Sequence, residues 1–194
     1  MNVYEAIKKR RTIRKFKSLP LKNEDIMQII DCARLAPYAA NLQPLKFSIV
    51  TDKETRLKMY PHIKYAGYIP DWDPEFEETP PVFIIVLNDT NIKTTKTAEV
   101  DSGAAVAHMC LAATELGIDT CWFGSVGKKE IKEMLSFPEH LDITYVLGLG
   151  YGAQTGEYED IKNNDHRYYF DENGNVRGPK RSMEEILIKA EIAK

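Results

Sequence analysis

The chain has 194 residues, of which 43% are apolar, and a formal charge of −3; this is enough apolar material for the core of one folded domain. The mild acidity excludes a general nucleic-acid binder, which needs an extensive basic surface to neutralise many phosphates. The start, Met1-Asn2-Val3-Tyr4-Glu5, lacks the pattern of a signal peptide, and no stretch approaches the roughly 18 apolar residues of a membrane span, so a cytoplasmic protein without membrane contact is expected.

Asn2 with Glu5 is close to a capping box and opens a helix through about Lys9, with Val3, Ala6 and Ile7 on one face. Directly behind it stands a dense cationic cluster, Arg10-Arg11-Thr12-Ile13-Arg14. Its guanidinium groups and hydroxyl suit a bound phosphate, and they equally suit a solvated helix end whose cations complement the dipole. Asn23 is placed to cap a second helix, whose Ile26, Ile29, Ile30, Ala33 and Leu35 form an apolar face until Pro37 stops it. Phe47–Val50 and Val82–Leu87 read as strands, the second buried on both faces, with a helix over Glu54–Tyr60 between them. Residues 61–81 mix prolines, acids and aromatics without a period and form the expected substrate-facing segment, in which Tyr65, Tyr68, Trp72 and Phe76 either edge a pocket or make a satellite hydrophobic cluster.

From Val100 to Leu116 small or apolar residues occupy nearly every side, which places that helix in the middle of the protein. Gly117 ends it, and Thr120–Gly124 returns as an extended segment. A short surface helix over Lys128–Leu135, a buried strand over Ile143–Leu149, and a terminal helix capped by Ser182 and Glu185 and carrying Met183, Ile186 and Leu187 complete the order. Between Tyr168-Tyr169-Phe170 and Val176, the run Asp171–Asn175 signals a hairpin at about 166–177, with Asn173-Gly174 taking the positive φ angles of a tight turn. Helices and strands do not alternate regularly, so the expected class is α+β, a single domain over 1–194 with its central helix packed on one sheet. Cys32, Cys110 and Cys121 read as core thiols, and His62, His108, His140 and His166 lack metal-ligand spacing.

Two further groups bear on chemistry. The proline-bounded loop Pro37–Pro44 carries the amides Asn41 and Gln43, which suit either the edge of a heterocycle or an ordinary turn. Arg177 and Lys180-Arg181 form a second basic group, suited to an anion or to a solvated approach to the last helix.

Arg10–Phe16, Ala36–Pro44, Asp101–Ala105, Leu116–Gly124 and Lys180–Ile186, in that order, resemble the motifs of the nitroreductase family of FMN-dependent oxidoreductases. The resemblance implies a homodimer with a central, mostly antiparallel sheet flanked by helices and FMN at the subunit interface. It implies that Arg10, Arg11 and Thr12 hold the phosphate and ribityl chain, that Arg14 reaches the pyrimidine side of the ring, and that Lys180 and Arg181 clamp the phosphate. Pro37, Tyr38, Ala39 and Asn41 match the loop that approaches the flavin from the other subunit, and Trp122, Phe123 and Gly124 the segment beside the ring. Leu45 and Tyr38 depart from the usual Trp and Ser. The implied activity is hydride transfer from NAD(P)H through flavin N5 to a small oxidised acceptor, a nitroaromatic or quinone, in ping-pong order, with no catalytic side chain. A same-fold dehalogenase or flavin-consuming enzyme, and a flavin-binding redox sensor that does not turn over, are the alternatives.

Overall fold

The computed structural model describes residues 1–188; residues 189–194 of the expected domain lie outside the described residues. The elements run α1 (Val3–Lys9), α2 (Asn23–Arg34), β1 (Leu45–Val50), α3 (Lys53–Met59), β2 (Val82–Asp89), α4 (Thr95–Glu115), β3 (Asp119–Phe123), α5 (Lys128–Met134), β4 (Leu141–Gly150), β5 (Gly156–Asp160), β6 (Tyr169–Phe170), β7 (Val176–Lys180) and α6 (Met183–Ile186). The class is α+β. Its main sheet has the order β1-β2-β4-β3 and is antiparallel throughout.

The core lies on both faces of that sheet because alternate residues of β2 point in opposite directions. Ile84 and Val86 pack with Ile26, Ile29 and Ala33 of α2 and Val106, Met109 and Ala113 of α4. Phe83, Ile85 and Leu87 pack on the other face with Phe16, Met59, Tyr65, Phe123 and Ile131. This two-sided cover accounts for the continuous apolar run of β2, as expected. The chain after α1 completes the second layer: Ile13 N–H donates to the Thr120 carbonyl at 2.9 Å, Thr12 bridges Thr120 in parallel, and Phe16 bridges Gly152. The segment 10–16 therefore lies along the free edge of β3.

Local chemistry fixes the helix starts. Asn2 Oδ1 accepts from Glu5 N–H at 2.9 Å while Glu5 Oε2 accepts from Asn2 N–H at 3.0 Å, the expected reciprocal cap. Ser182 and Glu185 do the same for α6, which lasts a single turn. At α2 the cap is Lys22 and not Asn23, and no side chain closes it. Leu35 does not extend the buried face of α2: it lies past the last helical residue and is exposed. Helix α4 starts at Thr95, earlier than the expected Val100, because tertiary contacts hold its polar first turn; Thr95 Oγ1 donates to Asp142 Oδ2 at 2.7 Å.

The second, small sheet has the order β5-β7-β6, with β5 parallel to β7. Strand β5 is not apparent in the sequence, since Gly156-Glu157-Tyr158-Glu159-Asp160 offers no apolar alternation. The hairpin exists, with a different turn. The last pair is Phe170 with Val176, and the connecting Asp171–Asn175 is closed by Asp171, whose Oδ1 accepts from Asn173 and Asn175 N–H at 3.0 and 2.9 Å. Only Gly174 takes a positive φ there, so an Asx-type side-chain bond, and not a tight Asn-Gly turn, reverses the chain.

Glycine in β4 marks where the layers touch most closely. A Cβ at Gly150 would lie 2.6 Å from Pro81 Cδ and 2.8 Å from Phe16 Cδ1, both ring atoms with little freedom to move. Gly150→Ala should therefore destabilise the fold by about 1–3 kcal/mol through overpacking, read as a lower midpoint in urea unfolding.

Candidate functional site

The end of α1 and the edge of β3 together position the cationic cluster. Past Lys9 the chain leaves the helix, and along an extended segment residues i, i+2 and i+4 share a side. Arg10, Thr12 and Arg14, with Arg11 beside them, line one cavity of 150 Å³, joined by Tyr158 and Lys180 of the small sheet and by His166 and Tyr168 just before β6. A neighbouring apolar hollow of 420 Å³ also contains Arg10 and Thr12, with Ile7, Ala107, Leu111 and Trp122. The two spaces adjoin at Arg10 and Thr12.

The three arginines differ in what they already hold. Arg11 is committed to α1: its Nη1 and Nη2 donate to the carbonyls of Arg10 and Lys8, and its guanidinium lies 4.6 Å from the Tyr158 ring centroid. Burial, and after it the charge of Arg10, lowers its pKa below the usual guanidinium range. Arg10 is in no ion pair among the described residues. Arg14 is only 7% exposed. Its Nε donates to the Tyr65 carbonyl at 2.9 Å, its Cζ lies 3.9 Å from the Tyr168 ring centroid, and its buried Nη1 has no partner. A buried cation with an unused donor is expensive unless something outside the chain completes it.

The second basic group divides in the same way. Arg177 is held by Asp171, with Nη2 2.9 Å from Oδ2, and by Glu157. The hydrogen bond to Asp171 raises its pKa. Arg181 pairs with Glu185 at 3.1 Å. Lys180 alone of the three lines the cavity. The one carboxylate in that lining, Glu157, already faces Arg177, so positive charge dominates.

The remaining expected residues lie apart from these cations within the single chain. Pro37, Ala39 and Asn41 are exposed, and none of them lines either cavity. Tyr38 Oη donates to the Ala33 carbonyl at 2.9 Å and its ring packs against the core, which suits it to anchoring the loop. Ala39 N–H donates to Asp101 Oδ1 at 3.0 Å, and Asp101 Oδ2 receives Lys93 Nζ at 2.6 Å. Ala40, Asn41 and Gln43 all have φ near +50°, at 52°, 54° and 50°, a conformation that L side chains adopt at a cost. Trp122 edges the apolar hollow and stands edge-on to Tyr145, 5.0 Å between centroids. Phe123 is buried behind it, edge-on to Tyr65. Gly124 is exposed, and a Cβ there would meet only Tyr145 Cε1 at 3.9 Å, so the chain's own packing does not require glycine.

Of the aromatic candidates in 61–81, Tyr65 is a core residue whose hydroxyl burial drives its pKa far up. Phe76 packs on Tyr60, and Trp72 on Phe170. Tyr68 reaches the cation cavity's wall with its side chain, its Oη 3.3 Å from His166 Nε2 and its ring 5.1 Å from Tyr168, while Tyr65 reaches it through its carbonyl on Arg14. Tyr158, His166 and Tyr168 are the aromatic lining residues that sequence reasoning missed. The triplet Tyr168-Tyr169-Phe170 was the available signal, but pairing with Arg14 crosses 154 positions (168 − 14) and has no local trace.

A model described as Nitroreductase family matches residues 7–151. The chain belongs to the nitroreductase family. It is 31% identical over 166 residues to a Methanothermobacter thermautotrophicus protein named as a candidate NADH dehydrogenase/NAD(P)H nitroreductase, covering 83% of each chain. It is 26% identical over 172 residues to the FMN reductase (NAD(P)H) of Bacillus subtilis, covering 78% of this chain and 66% of that one. A solved structure of a nitroreductase family protein from Clostridium novyi matches with a TM-score of 0.68 at 28% identity, over 78% of this chain and 86% of that one. The family match contains Arg10–Arg14, the proline loop and Trp122–Gly124; Tyr158, His166, Tyr168 and Lys180 lie beyond it.

The three thiols are free, and two of them are buried. Cys121 is 2% exposed and burial pushes its pKa up to about 12; burial also raises that of Cys110. Thiolate is the reactive form. At pH 8 a disulfide reagent should therefore titrate no more than the half-buried Cys32 in the native protein, and all three thiols after unfolding in guanidinium.

Proposed function

We propose that this nitroreductase-family chain is an FMN-dependent NAD(P)H oxidoreductase, a single domain working as a cytoplasmic homodimer. It passes hydride from NAD(P)H to a small oxidised acceptor, a nitroaromatic or quinone, in ping-pong order. The observation that carries this reading is Arg14: a buried guanidinium whose Nη1 is enclosed without a partner, in a cavity that adds Arg10, Thr12 and Lys180 and no free carboxylate. Relatives named for NAD(P)H nitroreductase and FMN reductase activity support it.

The residues present fit that cofactor. FMN, when bound, supplies the redox-active ring that accepts hydride from one substrate and gives it to the next. Arg10 and Lys180 have uncommitted cationic donors for its phosphate, and Thr12 adds a hydroxyl to the same lining. Arg11 keeps α1 terminated where Arg10 is needed. Arg14, with its buried Nη1 unpartnered, would offer a donor to the pyrimidine edge and would stabilise negative charge there, in surroundings too dry to screen it. The 150 Å³ cavity alone is below the usual range of about 300–1,000 Å³ for ligand pockets, and its junction with the 420 Å³ hollow supplies the missing room.

The same hollow is the basis for the dimer. Val3, Tyr4 and Ile7 of α1 and Val100 of α4 are strongly exposed in the single chain, as are Ala107 and Trp122 beside the hollow. A helix as apolar as α4 needs cover on that side, and a second copy gives it. The partner's proline loop, stiffened by Asp101 and Tyr38, then brings Asn41 to a site its own chain does not reach.

FMN-free protein titrated with FMN should bind it, and NADH or NADPH added without oxygen should bleach the flavin band; a protein that takes up no FMN overturns the reading. Arg10→Ala and Lys180→Ala should each raise the FMN dissociation constant by about 10- to 100-fold, as expected for one charge-assisted bond. Arg11→Ala should raise it by no more than about threefold, because its donors already serve α1. Ala107→Glu, which places a charge in the proposed contact, should shift the protein from dimer to monomer in light scattering and abolish FMN uptake together.

A further inference from the structure

We propose that Tyr168, in the hairpin outside the family match, is a positioning residue that holds the Arg14 guanidinium in the orientation a flavin requires; this rests on the FMN reading above. Arg14 has many accessible rotamers, and ordering so flexible a side chain carries an entropic cost. Elsewhere in this protein an arginine is oriented by a carboxylate, as Arg177 is by Asp171. Among the described residues Arg14 has no such partner. It is held by the Tyr65 carbonyl at Nε and by the Tyr168 ring, 3.9 Å from Cζ.

The two kinds of anchor have different electrical consequences. A carboxylate would orient the guanidinium and cancel its charge. An aromatic face attracts the cation through its quadrupole and occupies no in-plane N–H, so both the charge and the Nη1 donor remain available. Tyr168 is itself fixed from the opposite side: the Tyr68 backbone N–H donates to its Oη at 3.3 Å and the two rings lie 5.1 Å apart. Trp72 against Phe170, 4.6 Å between centroids, ties the same hairpin to the same irregular segment. The aromatic residues of 61–81 and of the hairpin thereby act on the cofactor site through Arg14.

The test uses the FMN-loaded protein and three variants, reading the FMN dissociation constant by fluorescence, the midpoint potential of the bound flavin, and the melting temperature. Tyr168→Phe keeps the ring and should stay within about twofold of the wild type in affinity, with its potential unchanged. Tyr168→Leu removes the ring and should weaken FMN binding roughly 5- to 30-fold and move the potential to more negative values, since the reduced anionic flavin loses its cation. Tyr168→Glu should move the potential further the same way, because it neutralises Arg14 in place. A folded Tyr168→Leu protein with wild-type affinity and potential overturns the proposal, and so does one that binds FMN more tightly, which would make the ring an obstruction. If Tyr168→Leu does not fold, equal potentials in the Phe and Glu variants overturn it. Wild-type protein that takes up no FMN overturns the functional reading itself.

Discussion

Arg14 carries its charge into a place from which water is almost excluded, and the chain answers it with a carbonyl oxygen and an aromatic ring instead of a carboxylate. Most of the surrounding architecture is needed for that arrangement. The helix α1 must end at Lys9 so that the next residues run extended; the edge of β3 must be free so that they can lie along it; and the small sheet must fold back so that Tyr168 meets the guanidinium. The desolvation of one cation is opposed by the burial of Ile13 and Phe16 on either side of it. A bound pyrimidine edge would take up the buried Nη1 donor, which has no partner within the chain.

The main sheet makes this affordable through its thickness. With apolar side chains on both faces of β2 and β4, the sheet is a rigid floor, and the close contact of Gly150 with Pro81 and Phe16 sets the spacing of the layer that carries Arg14. Displacing that layer would move Arg14 relative to β3. The strained loop at Ala40–Gln43 is fixed by a different device, the buried pair of Asp101 and Lys93 acting on the Ala39 amide. A carboxylate between a backbone N–H and an ammonium suits this task, because no charge is wanted in the loop itself.

Much of the core was readable in the sequence because it is written in the apolar pattern: the continuous apolar run of β2, the apolar face of α2, the all-round apolar α4. What escaped depends on partners distant in sequence. The threonine-rich first turn of α4 is polar and gains its helical state from Asp142. The acidic β5 is a strand because β7 is beside it. Within the site, residue types revealed that Arg10, Arg11, Arg14, Lys180 and Arg181 are cations, but not which were already occupied. Arg11, Arg177 and Arg181 are satisfied by carbonyls and carboxylates of the chain, and the difference between an engaged and a free guanidinium is geometric.

The boundary of the family match at residue 151 passes through the cation cavity itself. One wall, Arg10 to Arg14, lies inside the matched region, and the opposite wall, from Tyr158 to Lys180, lies outside it. The two walls meet through ring faces, Tyr158 on Arg11 and Tyr168 on Arg14, contacts that tolerate exchange of one aromatic side chain for another better than a buried ion pair tolerates loss of a partner. A protein built in this way can keep its means of gripping a ligand constant while the piece that leans against the grip drifts in length and sequence. The hairpin is thus a replaceable jaw set against a fixed one.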